Sequence, residues 1–122
     1  MRVLPSFLLL AATVVPAAAA DADHGKTLFQ RQCAACHQVA QPRNGVGPSL
    51  QGVVGRPAAS VQGFTYSPAL KGAGLQWTST EIDAYLTNPT AKVPGTRMAV
   101  RVASDADRGD IIAFLQQNSS AP

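Results

Sequence analysis

Cys33, Ala34, Ala35, Cys36 and His37 form the pattern C-x-x-C-H, and no other feature of the chain restricts its fold so severely. Two thiols three positions apart on one helical turn can each add to a vinyl group of a single porphyrin. The next residue then delivers an imidazole to the iron from the same side. This is the attachment signature of c-type haem. A chain that carries it must wrap a large, flat, apolar group close to Cys33 and Cys36. A C-x-x-C pair by itself also occurs in redox dithiols and as half of a zinc site. The chain has only these two cysteines, with no second Cys pair and no His pair to complete four zinc ligands. It also lacks the alternating strand and helix pattern of a thioredoxin-like fold. A disulfide between Cys33 and Cys36 would close too short a loop to stabilise much.

The first residues have a different grammar. Met1 and Arg2 lead into the apolar run Val3 to Val15, which ends in Pro16 and a string of alanines. A basic start, an apolar middle and small residues at Ala18 and Ala20 predict a signal peptide over residues 1–20, cut before Asp21. The alternative is an uncleaved anchor, but a membrane span needs about 20 apolar residues, and Pro5 and Pro16 shorten the usable run. Residues 21–122 then form one domain. Without Arg2, nine Lys and Arg face seven Asp and Glu. A charge of +2, spread without a run or stripe, does not match a nucleic-acid binder. A domain of this size buries a limited core and gains from any large apolar group that it encloses.

The mature chain reads as helix and loop, with no repeat and nothing resembling a paired sheet. Asp23 to Gln32 is a predicted helix with Gly25, Leu28, Phe29 and Gln32 on one face. From Gln38 to Ser67, Gly45, Gly47, Gly52, Gly55 and Gly63 alternate with Pro42, Pro48 and Pro57, which predicts a long loop. Loops of that length usually need something to organise them. A short helical piece is expected over Pro68 to Ala73. A longer helix begins at Thr78, where Thr78 and Glu81 have capping-box spacing, and Pro89 ends it by biasing Asn88 away from helix. The last helix starts near Ser104, with Asp105 and Asp107 complementing its dipole and Ile111, Phe114 and Leu115 as its buried stripe. Gly25 and these three residues predict a close crossing of the first and last helices.

Haem iron in an electron carrier takes a sixth ligand as well as His37. Once the leader is removed, Met98 is the only methionine, set after the stiff turn Pro94-Gly95-Thr96. The other residue to weigh is His24, near the start of the first helix, where a solvated histidine is the plainer reading. Met98 can also be read as a gap-filling core residue.

With these motifs in view, the chain resembles the soluble class I cytochromes c of the mitochondrial-like and bacterial periplasmic branch. The likeness runs from Gly25 to Gln116. Besides the haem motif it rests on Gly47-Pro48-Ser49-Leu50, Gly55-Arg56, Gly63-Phe64-Thr65-Tyr66 and Gly74-Leu75-Gln76-Trp77. It continues through Tyr85-Leu86, Asn88-Pro89, Pro94-Gly95-Thr96-Arg97-Met98 and Asp110-Ile111-Ile112-Ala113-Phe114-Leu115. The resemblance implies an all-α class I cytochrome c fold, a few helices and long loops around one covalently bound haem and its iron. It implies that Met98 is the sixth ligand, that the Pro48 carbonyl accepts from His37, and that Tyr85 lies beside the methionine sulfur. It places Arg56, Tyr66, Trp77 and Thr96 around the haem propionates. Tyr66, Trp77 and Tyr85 also read as plain core aromatics. Three departures stand out: Leu70 where many relatives carry an amide, Val100 where an aromatic is frequent, and Gln32, Thr90 and Ala91 where lysines are common.

The function expected is a one-electron carrier between redox partners in a respiratory or photosynthetic-type electron transport chain, located in the periplasm, monomeric and not an enzyme. A thioether ligand favours ferrous iron and raises the potential. Filling both axial positions leaves little room for catalysis. A peroxidase or ligand sensor would keep the sixth position open and would need a distal acid–base pair, for which His24 is the only spare histidine. A zinc or dithiol module would be colourless. Redox partners are expected to dock transiently at the haem edge through an acidic face, steered by Lys92, Arg97 and Arg101. No nucleic acid and no stable membrane insertion after signal cleavage are expected.

Overall fold

Asp21 begins the ordered fold because its carboxylate can cap a helix: it accepts from the Asp23 and His24 amides at 3.0 and 3.1 Å. Helix α1 then spans Ala22–Gln32. The computed structural model describes residues 4, 9–14 and 19–119. Met1, Arg2, Pro5, Pro16 and Ala18 of the expected leader lie outside them. Gly25, Leu28 and Phe29 form the buried face of α1. Gln32, expected on that face, is exposed at the last position of the helix.

Four more helices follow: α2 (Pro68–Lys71), α3 (Ser79–Thr87), α4 (Pro89–Lys92) and α5 (Asp105–Gln117). Ser67, Thr78 and Ser104 cap α2, α3 and α5 through their hydroxyls. Only half of the expected capping box is built. Thr78 accepts from the Glu81 amide at 3.2 Å, but the Glu81 carboxylate turns to Lys92, 2.6 Å away. Pro89 ends α3 as expected, with Asn88 extended at φ −161°. It also opens α4, where a proline fits because the first helical N–H needs no partner, and Asn88 caps that turn.

The crossing of α1 and α5 sets the core. A Cβ on Gly25 would lie 1.9 Å from the Asp110 carbonyl oxygen, so the two backbones touch where the side chain is missing. Phe29 packs on Phe114 with ring centroids 5.4 Å apart. Ile111, 1% exposed, sits beneath. Ile82, Tyr85 and Leu86 of α3 complete this layer.

Residues 38–67 form neither helix nor strand, and the only β-type pairing among the described residues is the isolated bridge between Pro57 and Gln76. Side chains hold this long loop in place of a backbone ladder. Ser49 Oγ donates to the Gln41 carbonyl at 2.7 Å, Asn44 Oδ1 accepts from the Ser49 amide at 2.9 Å, and Asn44 Nδ2 donates to the Gln62 carbonyl at 3.1 Å. Ser49 is therefore buried without an unmet polar group.

Candidate cofactor cavity

The end of α1 delivers the pentapeptide. Cys33 N–H donates to the Phe29 carbonyl at 2.8 Å, and the Cys36 and His37 amides both return to the Cys33 carbonyl, at 3.1 and 3.0 Å. That extra turn puts Cys33, Cys36 and His37 on the wall of one cavity of about 700 Å³. Both cysteines are free thiols, Cys33 half-buried and Cys36 exposed. Burial, with the neighbouring Cys36 adding to it, pushes the Cys33 thiol up to about 11. The reactive thiol of a redox dithiol is usually shifted the other way.

His37 is fixed by its neighbours. Its Nδ1 lies 2.8 Å from the Pro48 carbonyl, which can only accept, so Nδ1 carries the hydrogen and Nε2 keeps its lone pair. Desolvation holds the imidazole pKa below its ordinary value, against the raising effect of the Pro48 hydrogen bond. A neutral ring with a free Nε2 is what metal ligation requires. Gly47 makes room for it: a Cβ there would stand 2.3 Å from His37 Cε1.

Another part of the wall comes from the segment after α4. Gly95 takes φ +90°, and the Thr96 amide donates to the Val93 carbonyl at 3.0 Å, forming the turn that presents Met98. Met98 is half-buried and packs on the core. Thr96 Oγ1 and Tyr85 Oη are 2.5 Å apart, which ties this turn to α3. Burial raises the Tyr85 pKa, so the phenol stays protonated.

Arg56 also lines the cavity, with Nη1 donating to the Gln51 carbonyl at 2.9 Å and Nη2 to that of Ser49 at 2.7 Å. Tyr66 Oη accepts from the Val61 amide at 3.1 Å, which leaves its own O–H for another acceptor. All ten residues singled out from the sequence, Cys33, Cys36, His37, Pro48, Arg56, Tyr66, Trp77, Tyr85, Thr96 and Met98, meet at this one cavity. His24 does not. It is exposed near the start of α1, as expected, and its Nδ1 lies 2.8 Å from Asp110 Oδ2.

Sequence reasoning missed Val46, which lines the cavity and is 79% exposed. Leu70 and Val100, the departures noted from the sequence, and Phe64 of the Gly63–Tyr66 motif line it too. Val46 has no local signal, being one apolar residue between two glycines. Gly47 was visible as part of a motif, but its role depends on a ring ten residues away in sequence.

The site fits a haem. Its volume lies within the 300–1,000 Å³ of sites that enclose organic ligands, its lining is mostly apolar, and its donors are two thiols, a neutral imidazole nitrogen and a thioether. Among the described residues, no three His, Cys, Asp or Glu side chains converge to hold a metal ion by themselves.

Comparison with known proteins places these features in context. The family model described as cytochrome c matches residues 22–119. Cytochrome c2 of Blastochloris viridis is 41% identical over 111 residues, which span 89% of this chain and 87% of that one. Cytochrome c2 of Rhodomicrobium vannielii is 48% identical over 100 residues, 80% of this chain and 79% of that one. The solved structure of cytochrome cH from Methylobacterium extorquens is 40% identical and superposes with a TM-score of 0.75, covering 80% of this chain and 98% of that chain.

Proposed function

The chain belongs to the cytochrome c family, and from that premise we propose that His37 and Met98 are the axial ligands of a haem attached through Cys33 and Cys36. The protein is a monohaem electron carrier. Bound in the cavity, haem supplies reversible one-electron chemistry at its iron. The observation that carries the ligand assignment is the arrangement of the walls. The two thiols and an imidazole with Nε2 free line the cavity, and so does a lone methionine carried on a separate, hydrogen-bonded turn.

The protein's own groups then have definite tasks. Pro48 holds the His37 ring in one tautomer and orientation, which raises ligand basicity. Thr96 and Tyr85 fix the turn that carries Met98. Arg56, Tyr66, Trp77 and Thr96, which line the cavity, would supply donors to a carboxylate on the cofactor. With both axial positions filled by the protein, no coordination site remains for a substrate, which is the basis for reading a carrier rather than an enzyme.

Export to the periplasm, with residues 1–20 as a cleaved signal, belongs to the same proposal. Leu4, Leu9, Leu10 and Val14 of the apolar run are 88–94% exposed and take no part in the core. Among the described residues, no helix is long and apolar enough to cross a membrane. Docking by a transient partner with an acidic face is supported by Arg97 and Arg101, both exposed on the segment that carries Met98. Lys92, expected to join them, is instead paired with Glu81.

The test is the double variant Cys33→Ala, Cys36→Ala, made under conditions that give coloured wild type. It should lack covalent haem by mass and lose helix content by far-UV circular dichroism. A colourless double variant that still melts cooperatively from a native-like state would contradict the proposal that haem organises this fold.

A further inference from the structure

Among the described residues, Arg108 is the one buried charged side chain. Its side chain is 6% exposed, and every part of the guanidinium is engaged. Nε donates to Asp83 Oδ1 of α3 at 2.8 Å, Nη1 donates to the carbonyls of Val102 and Ala103 at 2.8 and 3.1 Å, and Nη2 reaches Asp105. Taking a guanidinium out of water is expensive unless its donors are matched. Here two of its four acceptors are backbone carbonyls of an irregular segment.

That segment begins at Met98. Among the described residues, Met98, Ala99, Val100 and Arg101 make no backbone hydrogen bond. Ala99, Val100 and Arg101 are exposed. The segment is therefore a span held at its ends. On the near side, Thr96 is tied to Val93 and to Tyr85. On the far side, the Val102 amide donates to the Leu86 carbonyl at 2.9 Å while Arg108 grips the Val102 carbonyl and its neighbour. Val102 itself is 3% exposed.

We propose that Arg108 is a positioning residue for Met98: it pins the far end of the 98–102 span to α3 and α5, and so limits how readily the methionine leaves the iron. This inference rests on Met98 being the sixth ligand. The reason is mechanical. A side chain on an unbonded four-residue stretch can swing away only if one end yields. The near end is held by the neutral bonds of Thr96 and by the exposed Arg97 guanidinium, which donates to the Thr65 carbonyl at 3.2 Å. The far end is held by a buried guanidinium that two carboxylates orient, and charge-assisted bonds between two ionised groups are the stronger kind. Removing the guanidinium frees two carbonyls at once, whereas a lysine can still reach Asp83 but lacks the fork needed to hold both.

The experiment uses the haem-loaded protein and two variants, Arg108→Lys and the milder Asp83→Asn, which leaves Arg108 in place but removes the carboxylate that orients it. Amide hydrogen exchange is read at Val102 and at Ile111 in the core of α5. The rate at which added imidazole displaces the methionine from ferric iron is read by loss of the methionine-to-iron charge-transfer band. In Arg108→Lys, Val102 exchange should quicken about tenfold more than Ile111 exchange. Imidazole binding should quicken about tenfold, the equivalent of losing one good hydrogen bond. Asp83→Asn should move both in the same direction by less. Equal acceleration at Val102 and Ile111 would mean that Arg108 serves general stability only and would overturn the inference. Unchanged imidazole binding with selectively faster Val102 exchange would also overturn it. Absence of the methionine band from the wild type would defeat the ligand assignment instead, and Val102 exchange alone would then decide whether Arg108 pins the segment.

Discussion

A glycine sets the orientation of the proposed proximal ligand. The His37 ring lies flat against Gly47, where any Cβ would come within 2.3–2.9 Å of three ring atoms. The ring would have to turn, and turning breaks the 2.8 Å bond to Pro48. Gly47→Ala is therefore expected to destabilise the loaded protein by about 1–3 kcal/mol, the usual range for overpacking. It should also broaden or shift the histidine resonances by NMR, and an unchanged melting temperature with unchanged histidine shifts would contradict this account. Single residues of this kind were only partly legible in the sequence. Cys33, Cys36 and His37 announce their chemistry by spacing alone. Arg108 does not, because nothing in its neighbours shows that it folds inward; its partners on α3 and on the 102–103 segment come together only in the tertiary structure.

At the scale of elements, the helices whose signals are local were legible. The caps at Thr78 and Ser104, the stripe of α5 and, Gln32 apart, the stripe of α1 lie where the local signals placed them. Helix α4 was not, because Pro89 carries two meanings, stopping one helix and starting the next. The contact between α1 and α5 also holds a charge pair that sequence spacing could not disclose. The Asp110 carboxylate accepts from the Asp21 amide at 2.7 Å and lies 2.8 Å from His24 Nδ1. The hydrogen bond to Asp110 raises the His24 pKa, with smaller contributions from Asp107 and Asp21, and His24 in turn holds Asp110 below its ordinary range. A raised histidine adds stability that is complete below its unfolded value near 6.5 and is lost as pH climbs through its folded value. A depressed aspartate adds stability present above its unfolded value near 3.9 and lost as pH falls through its folded value. The crossing should be firmest in mildly acidic solution between those limits. His24→Gln is expected to flatten the decline in melting temperature from about pH 6.5 to 8; a wild-type decline that survives the substitution would assign it to other groups.

Seen as a whole, the molecule is a shell around its cavity. Phe29, Ile82, Tyr85, Leu86, Ile111 and Leu115 belong at once to the helical core and to the cavity wall. No separate core supports the 38–67 loop, so a bound apolar group contributes to stability as well as to chemistry. This dependence was legible from loop composition and length, whereas the shape of the mouth was not. Val46 and Val100, both exposed, line the cavity together with Arg97. With Lys92 neutralised by Glu81, two arginines remain on the Met98 segment to steer a partner. Replacing both by Glu should slow electron transfer to an acidic partner while leaving the spectrum and potential nearly unchanged. The wild-type rate should fall with ionic strength as screening sets in over about 8–10 Å. Stopped-flow rates indifferent to both changes would mean that these arginines are solvated surface charges. The central claim, that His37 and Met98 close on one haem iron, is tested most directly by the visible spectrum of the ferric protein beside that of Met98→Ala. The account predicts a low-spin wild type with a weak methionine-to-iron band at the red end, and a variant that keeps its covalent haem but loses that band, gains an exchangeable ligand and falls in potential. An identical low-spin spectrum and potential in the variant would contradict it.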